Sequence, residues 1–158
     1  MCKVPRETRV DELVDAIVVH HNRIDLTGRC VEALARDEGP LRTVKIIDSG
    51  SVTPIADSQR ELWVKLLDRR REGRRPIGLF VESLKENVGF AEGNNHGLAL
   101  RIRDGAGFYL ILNNDAYIEP RTIRLMVDTA LESGTGMVAP AVYRADYPEQ
   151  VDRLGLTL

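Results

Sequence analysis

The chain has little of what would mark it as secreted, membrane-spanning or nucleic-acid-binding. Two cysteines, Cys2 and Cys30, are too few for a disulfide framework, and no C-x-x-C pair exists to hold zinc. Both are expected as reduced thiols. No stretch of about 18 apolar residues occurs, so nothing here is expected to span a membrane. The N-terminal MCKVPRETRVDELVD is charged and has no apolar core, unlike a secretory signal; the expected location is the cytoplasm. Net charge is only −2, from 22 basic and 24 acidic residues, which gives no general attraction to nucleic acid. Aromatics are 5% of the chain, and Trp63 and the others read as ordinary core residues. Internal repeats, low-complexity tracts and interdomain linkers are absent as well.

What remains is a chain of 158 residues, 43% hydrophobic and 29% charged, which fits one globular domain rather than a disordered segment. The β-branched run DAIVVHH (15–21) reads as a buried strand. A helix beginning around Asp25-Leu26-Thr27 and running to about Arg36 follows, with Leu26, Cys30, Val31 and Leu34 at helical spacing. Gly39-Pro40 stops it. TVKIIDSGS (43–51) reads as a second strand, 57–71 as a helix with Leu62, Leu66 and Leu67 on one side, and 76–83 as a third strand. A helix over 91–103, a strand over 108–113, a helix over 120–132 entered through Pro120, and a fifth strand over 137–143 complete the order. Alternation of this kind predicts an α/β fold, a mostly parallel sheet flanked by helices with right-handed crossovers.

In such sheets ligands bind beyond the carboxyl ends of the strands, and there the sequence places its polar clusters. His20-His21-Asn22 follows the first strand, Asp48-Ser49-Gly50-Ser51 the second, Glu86-Asn87 the third and Asn113-Asn114-Asp115 the fourth. Asp48 can accept from a base or a ribose hydroxyl, or simply begin a turn that Gly50 permits. Gly89, Gly93 and Gly97 are four apart. Gly97, in a helical stretch, costs about 1 kcal/mol against alanine, which points to a close approach of backbone or ligand; the alternative is a glycine-rich helix start. Asn94 and Asn95 would cap that helix or contact a ligand. Asp115 with Asn113 and Asn114 offers the oxygen donors that Mg2+ or Mn2+ prefers, but one carboxylate needs phosphate oxygens to complete the set, and read alone the triplet is equally a polar turn. His20 and His21, adjacent on a strand, face opposite ways and make no two-histidine metal site. The arginine run RRREGRR (69–75) reads as a solvated helix end suited to the helix dipole, with contact to an anionic membrane surface as the weaker reading.

Taken in order, these motifs resemble the nucleotide-sugar-binding half of a family 2 glycosyltransferase with the GT-A (Rossmann-like) fold, over about Asp15 to Tyr143. IVVHHNR resembles the family's first strand and its T-Y-N-R ending, with His20 and His21 in place of Thr and Tyr. KIIDSGS resembles V-D-N-G-S. ENVGFAEGNNHGLA is similar to the N-x-G-F-A-x-G-N-N-x-G run of the rhamnosyltransferase-like branch, and LILNNDAYIEP to its L-N-N-D version of the D-x-D motif. The resemblance implies residues 1–14 as an N-terminal extension and 15–158 as an incomplete nucleotide-sugar-binding domain, truncated before the acceptor-binding half. It implies that Asp48 contacts the base or ribose and that Asn87, Gly89 and Asn95 shape the donor pocket, with Asn22 and Ser49 among the donor-binding residues. Asp115, beside Asn113 and Asn114, would hold Mg2+ or Mn2+ against the diphosphate.

The implied activity is transfer of a sugar from a UDP-, dTDP- or GDP-linked donor to a hydroxyl of a glycan or lipid-linked acceptor in cell-envelope polysaccharide synthesis. Peripheral contact with the inner face of the membrane and self-association through uncovered apolar surface accompany it. Two departures stand out. Val52-Thr53 replace the Thr-Asp that often follows V-D-N-G-S, and the family's general base normally lies beyond Leu158. Glu149 and Asp152 sit in no pattern for that role, so no catalytic residue is assigned. The competing expectation is a nucleotide-sugar-binding or assembly module without transferase activity. A nicotinamide-dependent oxidoreductase is disfavoured because no glycine fingerprint follows the first strand.

Overall fold

A parallel sheet buried on both faces needs a central strand that is predominantly apolar, and VDAIVVH, apolar but for Asp15 and His20, supplies it. In the computed structural model, which describes residues 12–68, 75–100 and 106–154, this segment is β1 (Val14–His20), flanked by β2 (Leu41–Ser49) and β4 (Phe108–Asn113). With β3 (Gly78–Leu84) the strands run in the order β3-β2-β1-β4, every pairing parallel. Val18 faces Ile46 on one side and Leu112 on the other.

Strand alternation divides the sheet's side chains between two helical layers. One face packs against α1 (Ile24–Ala35), α2 (Asp57–Asp68) and α4 (Thr122–Ser133). Val18, Ile46, Cys30, Leu34, Trp63 and Ile123 belong to that core. The other face carries α3 (Gly89–Ala99), whose Gly93 and Gly97 lie against Val19 and Ile17 of β1. A Cβ on Gly97 would stand 2.4 Å from Ile17 Cγ2. The close approach read from the sequence is therefore a side chain of the central strand, not another backbone or a ligand.

Lys45, in the middle of β2, is fully buried. Its Nζ donates to the carbonyls of Gly97 (3.2 Å) and Leu100 (2.8 Å) and pairs with Asp15 at 3.2 Å. The last carbonyls of a helix lack intrahelical partners, and this lysine satisfies those of α3 from beneath. Asp15 is also held by both oxygens to Arg42, at 2.9 Å each.

Several expectations change. The fifth strand begins at Ala141, not 137, and pairs antiparallel with an unanticipated β6 (Tyr147–Leu154) in a separate sheet. Only a short turn joins them, and parallel pairing needs a crossover of a dozen or more residues. α4 begins two residues after Pro120, whose carbonyl accepts from Glu38 N. α2 buries Trp63 and Leu67, one helical turn apart, while Leu62 is turned outward and exposed. Trp63 is core as expected, but Phe90, Tyr143 and Tyr147 are more than half exposed. β1 starts at Val14, and Leu13 O already accepts from Phe108 N. α3 begins at Gly89 and ends at Ala99 with Leu100 as its C-cap, in place of the expected 91–103. Cys2, the end of the helix expected to reach 71, and the arginine run apart from exposed Arg75 lie outside the described residues.

Candidate functional site

The order β3-β2-β1-β4 means that the chain leaves β1 toward β2 and later returns to β1's other side as β4. The connections at the carboxyl ends of β1 and β4 therefore diverge, and the crevice they leave is where ligands bind in open α/β sheets. A cavity of about 370 Å3 lies there, lined by Val19, Phe90, Asn113, Asn114 and Asp115. Asn113 ends β4 beside Val19 of β1. Asp115 is exposed, and Asn114 is partly buried.

Three hydrogen-bonded clusters lie at the carboxyl ends of the strands. The first joins the ends of β1 and β2. Asn22 adopts the left-handed conformation, φ 59°, which asparagine tolerates better than most side chains. Its N–H donates to Ser51 Oγ at 2.9 Å, and its Oδ1 accepts from Val52 N at 2.8 Å. His21 Nδ1 donates to the Ser49 carbonyl at 2.8 Å, and its Nε2 accepts from Asn22 Nδ2 at 2.8 Å. Asp48, almost wholly buried, accepts from Ser51 N at 3.2 Å.

The second cluster ties β2 to the entry of α3. Ser49 Oγ donates to Asn87 Oδ1 at 3.1 Å and accepts from Val88 N at 2.9 Å, while Asn87 Oδ1 also accepts from Gly89 N at 2.9 Å. Gly89 has φ +77°, a conformation that favours glycine. Asn95 joins neither cluster: it is exposed on α3, with its Nδ2 3.4 Å from Glu92 Oε2. Its neighbour Asn94 is the buried one, donating to Phe90 O at 2.8 Å.

The third cluster anchors the Asn-Asn-Asp turn and contains two residues that sequence reasoning had given no role there. Asn114 Nδ2 donates to Thr27 Oγ1 at 3.1 Å, and His20 Nδ1 lies 2.7 Å from the same oxygen. The Thr27 hydroxyl donates to Arg23 O at 3.2 Å. Burial lowers the pKa of His20 below its ordinary value, against the opposing pull of Asp48 and with His21 adding to the lowering. The carbonyl of Asn113 accepts from Ala116 N at 3.1 Å and from Cys30 Sγ at 3.8 Å. Burial, and then the nearby Asp115 carboxylate, pushes the Cys30 thiol up to about 12. The one available signal for Thr27 was its place as a β-branched residue in a first helical turn, which says nothing of a partner 87 positions away.

Among the described residues no three His, Cys, Asp or Glu side chains gather to hold a metal by themselves. The donor set on the cavity is one carboxylate and two carboxamides. That set suits a hard cation whose remaining ligands are water and phosphate oxygens.

The family model described as glycosyl transferase family 2 matches residues 15–157. Among solved structures, S. aureus TarS 1-349 superposes with a TM-score of 0.57 at 21% identity, covering 76% of this chain and 32% of that one. S. aureus TarS gives 0.60 at 20%, covering 77% and 20%. TarS 1-349 in complex with UDP gives 0.61 at 17%, covering 85% and 43%. Likeness at these identities establishes a shared fold, and the chain spans less than half the length of each. No curated protein matches it.

Proposed function

The chain belongs to glycosyl transferase family 2, and from that premise we propose that the crevice between β1 and β4 binds a nucleoside-diphosphate sugar with Mg2+ or Mn2+. The sugar would pass to a hydroxyl on a polysaccharide or lipid-linked acceptor. The observation that carries this reading is the cavity at the switch point, lined by Asp115, Asn113 and Asn114 together with Phe90. The UDP in the similar TarS fragment supports a nucleotide as the ligand class.

In this reading Asp115 and Asn114 hold the cation, which when bound neutralises charge on the departing nucleoside diphosphate. The Asn22–Ser51 and Ser49–Asn87 bonds keep the strand ends together, so the backbone of the β1, β2 and β3 loops presents a fixed edge to the donor. Asp48, Gly89 and Asn95 are proposed donor-side residues on the strength of the motif. Phe90 offers an apolar ring face against the ligand. UDP, dTDP and GDP are the candidate nucleotides.

A second reading, binding without transfer, draws on one observation. Among the described residues Asp115 is the one acidic side chain on the cavity, and a residue that holds a cation is poorly suited to deprotonate an acceptor as well. Calorimetry with UDP, dTDP and GDP, with and without Mn2+, tests the donor site. Binding that Mn2+ strengthens and Asp115→Ala removes is expected, and absence of nucleotide binding in every condition overturns it. Sugar release or transfer dependent on Asp115 rules out the second reading. No helix among the described residues is long and apolar enough to cross a membrane; work in the cytoplasm, at the membrane's inner face where a lipid-linked acceptor is presented, belongs to the proposal. Self-association belongs to it too, because Tyr109 and Ile111 of β4 are 43% and 50% exposed. A monodisperse monomer in light scattering removes that part.

A further inference from the structure

A threonine hydroxyl has one proton and two lone pairs, and Thr27 Oγ1 meets three partners: the Arg23 carbonyl at 3.2 Å, His20 Nδ1 at 2.7 Å and Asn114 Nδ2 at 3.1 Å. Its proton goes to the Arg23 carbonyl or, in the other imidazole tautomer, to His20 Nδ1, and in both cases a lone pair is left for Asn114. Thr27 and His20 are both buried, so neither has water as a substitute partner. A hydroxyl committed in this way cannot turn its proton toward Asn114. It accepts the NH2 end of that amide and would leave the oxygen end facing an oxygen without a proton.

We infer that Thr27, held by His20, is a positioning residue that fixes the Asn114 carboxamide with its nitrogen inward and its oxygen toward the cavity. A carboxamide that was free to flip would offer a cation an oxygen in one orientation and an N–H in the other. The locked amide offers oxygen alone, beside the Asp115 carboxylate, and the turn becomes an oxygen-donor set for a hard divalent cation. The inference rests on the donor-site reading above and adds to it a determinant seven residues beyond β1 and far from the turn in sequence.

The test uses Mn2+ binding in the presence of UDP, followed by water-proton relaxation, on wild type, Thr27→Val, Asn114→Ala, the double variant and Thr27→Ser. Thr27→Val and Asn114→Ala are each expected to weaken Mn2+ binding about tenfold, the low end of what orienting partners contribute to metal affinity. The double variant should bind no more weakly than either single one, because Thr27 acts through Asn114, and Thr27→Ser should restore wild-type affinity. If Thr27→Val does not fold, Thr27→Ala replaces it. A ligand-free readout accompanies this: the Asn114 side-chain NH2 signals in a 15N–1H spectrum should move in Thr27→Val and return in Thr27→Ser. Wild-type Mn2+ affinity in Thr27→Val or in Asn114→Ala, or losses that multiply in the double variant, overturns the inference and leaves the donor site standing. Unmoved NH2 signals overturn it as well. A wild type that binds neither UDP nor Mn2+ with UDP removes the donor-site reading and the cation role together.

Discussion

Gly50 and Asn87 meet backbone to backbone. A Cβ on Gly50 would stand 2.5 Å from Asn87 N and 2.3 Å from the Glu86 carbonyl carbon, and Gly50 itself has φ +61°. Holding a non-glycine residue in that left-handed region costs about 1–3 kcal/mol, and here the obstructing atoms are backbone, which cannot swing aside. Gly50→Ala is therefore expected to lower stability by at least about 2 kcal/mol. It should also part Ser49 from Asn87, now joined at 3.1 Å, and weaken UDP binding. Urea unfolding and calorimetry check both, and a variant with wild-type midpoint and affinity would contradict the contact.

Gly97 makes the same argument with a movable neighbour. Alanine is the better helix former by about 1 kcal/mol, yet its methyl would stand 2.4 Å from Ile17 Cγ2. Overpacking of this kind costs about 1–3 kcal/mol, so Gly97→Ala is expected to destabilise. Ile17→Ala removes the obstructing atoms. The double variant should be clearly more stable than the sum of the single losses predicts, and simple additivity in urea midpoints would show that the two do not touch.

The His20 imidazole gives stability a pH dependence of known sign. Its pKa in the folded chain is lowered from 6.5, chiefly by burial. Below that value the unfolded chain takes up a proton that the folded chain refuses, so acid favours unfolding. The contribution is fully present above pH 6.5 and is lost as pH falls toward the folded value. Between about pH 7.5 and about pH 5.5 the urea midpoint of wild type is expected to fall more than that of His20→Asn. Equal slopes would place His20 outside the pH response.

Cys30 is buried and its thiol is pushed up to about 12. The thiolate is the reactive form, so Cys30 should resist alkylation in the folded chain at about pH 8 and react once denaturant opens the core. Mass spectrometry of the Cys30 peptide separates it from Cys2. Rapid labelling without denaturant would contradict the burial.

The sequence by itself determined the order of the first four strands and the four helices, the polar character of the four strand ends and the placing of glycine at 50 and 97. These follow from local patterns: β-branched runs, helical spacing of apolar residues, and glycine where a side chain is excluded. It also carried the family, because the ENVGFAEGNN and LILNND motifs are contiguous stretches. Only the tertiary structure decided that β4 returns to the side of β1 away from β2, and so that the Asn-Asn-Asp turn opens onto the crevice between β1 and β4. Only the fold brought Asn114 to Thr27 and His20, and it alone explains a lysine in the core, since Lys45 answers carbonyls of a helix more than fifty residues away. Such partnerships leave no local trace. A hydroxyl or an ammonium has the same sequence neighbours whether it is solvated or saturated by distant groups, and the difference is made when the chain closes on itself.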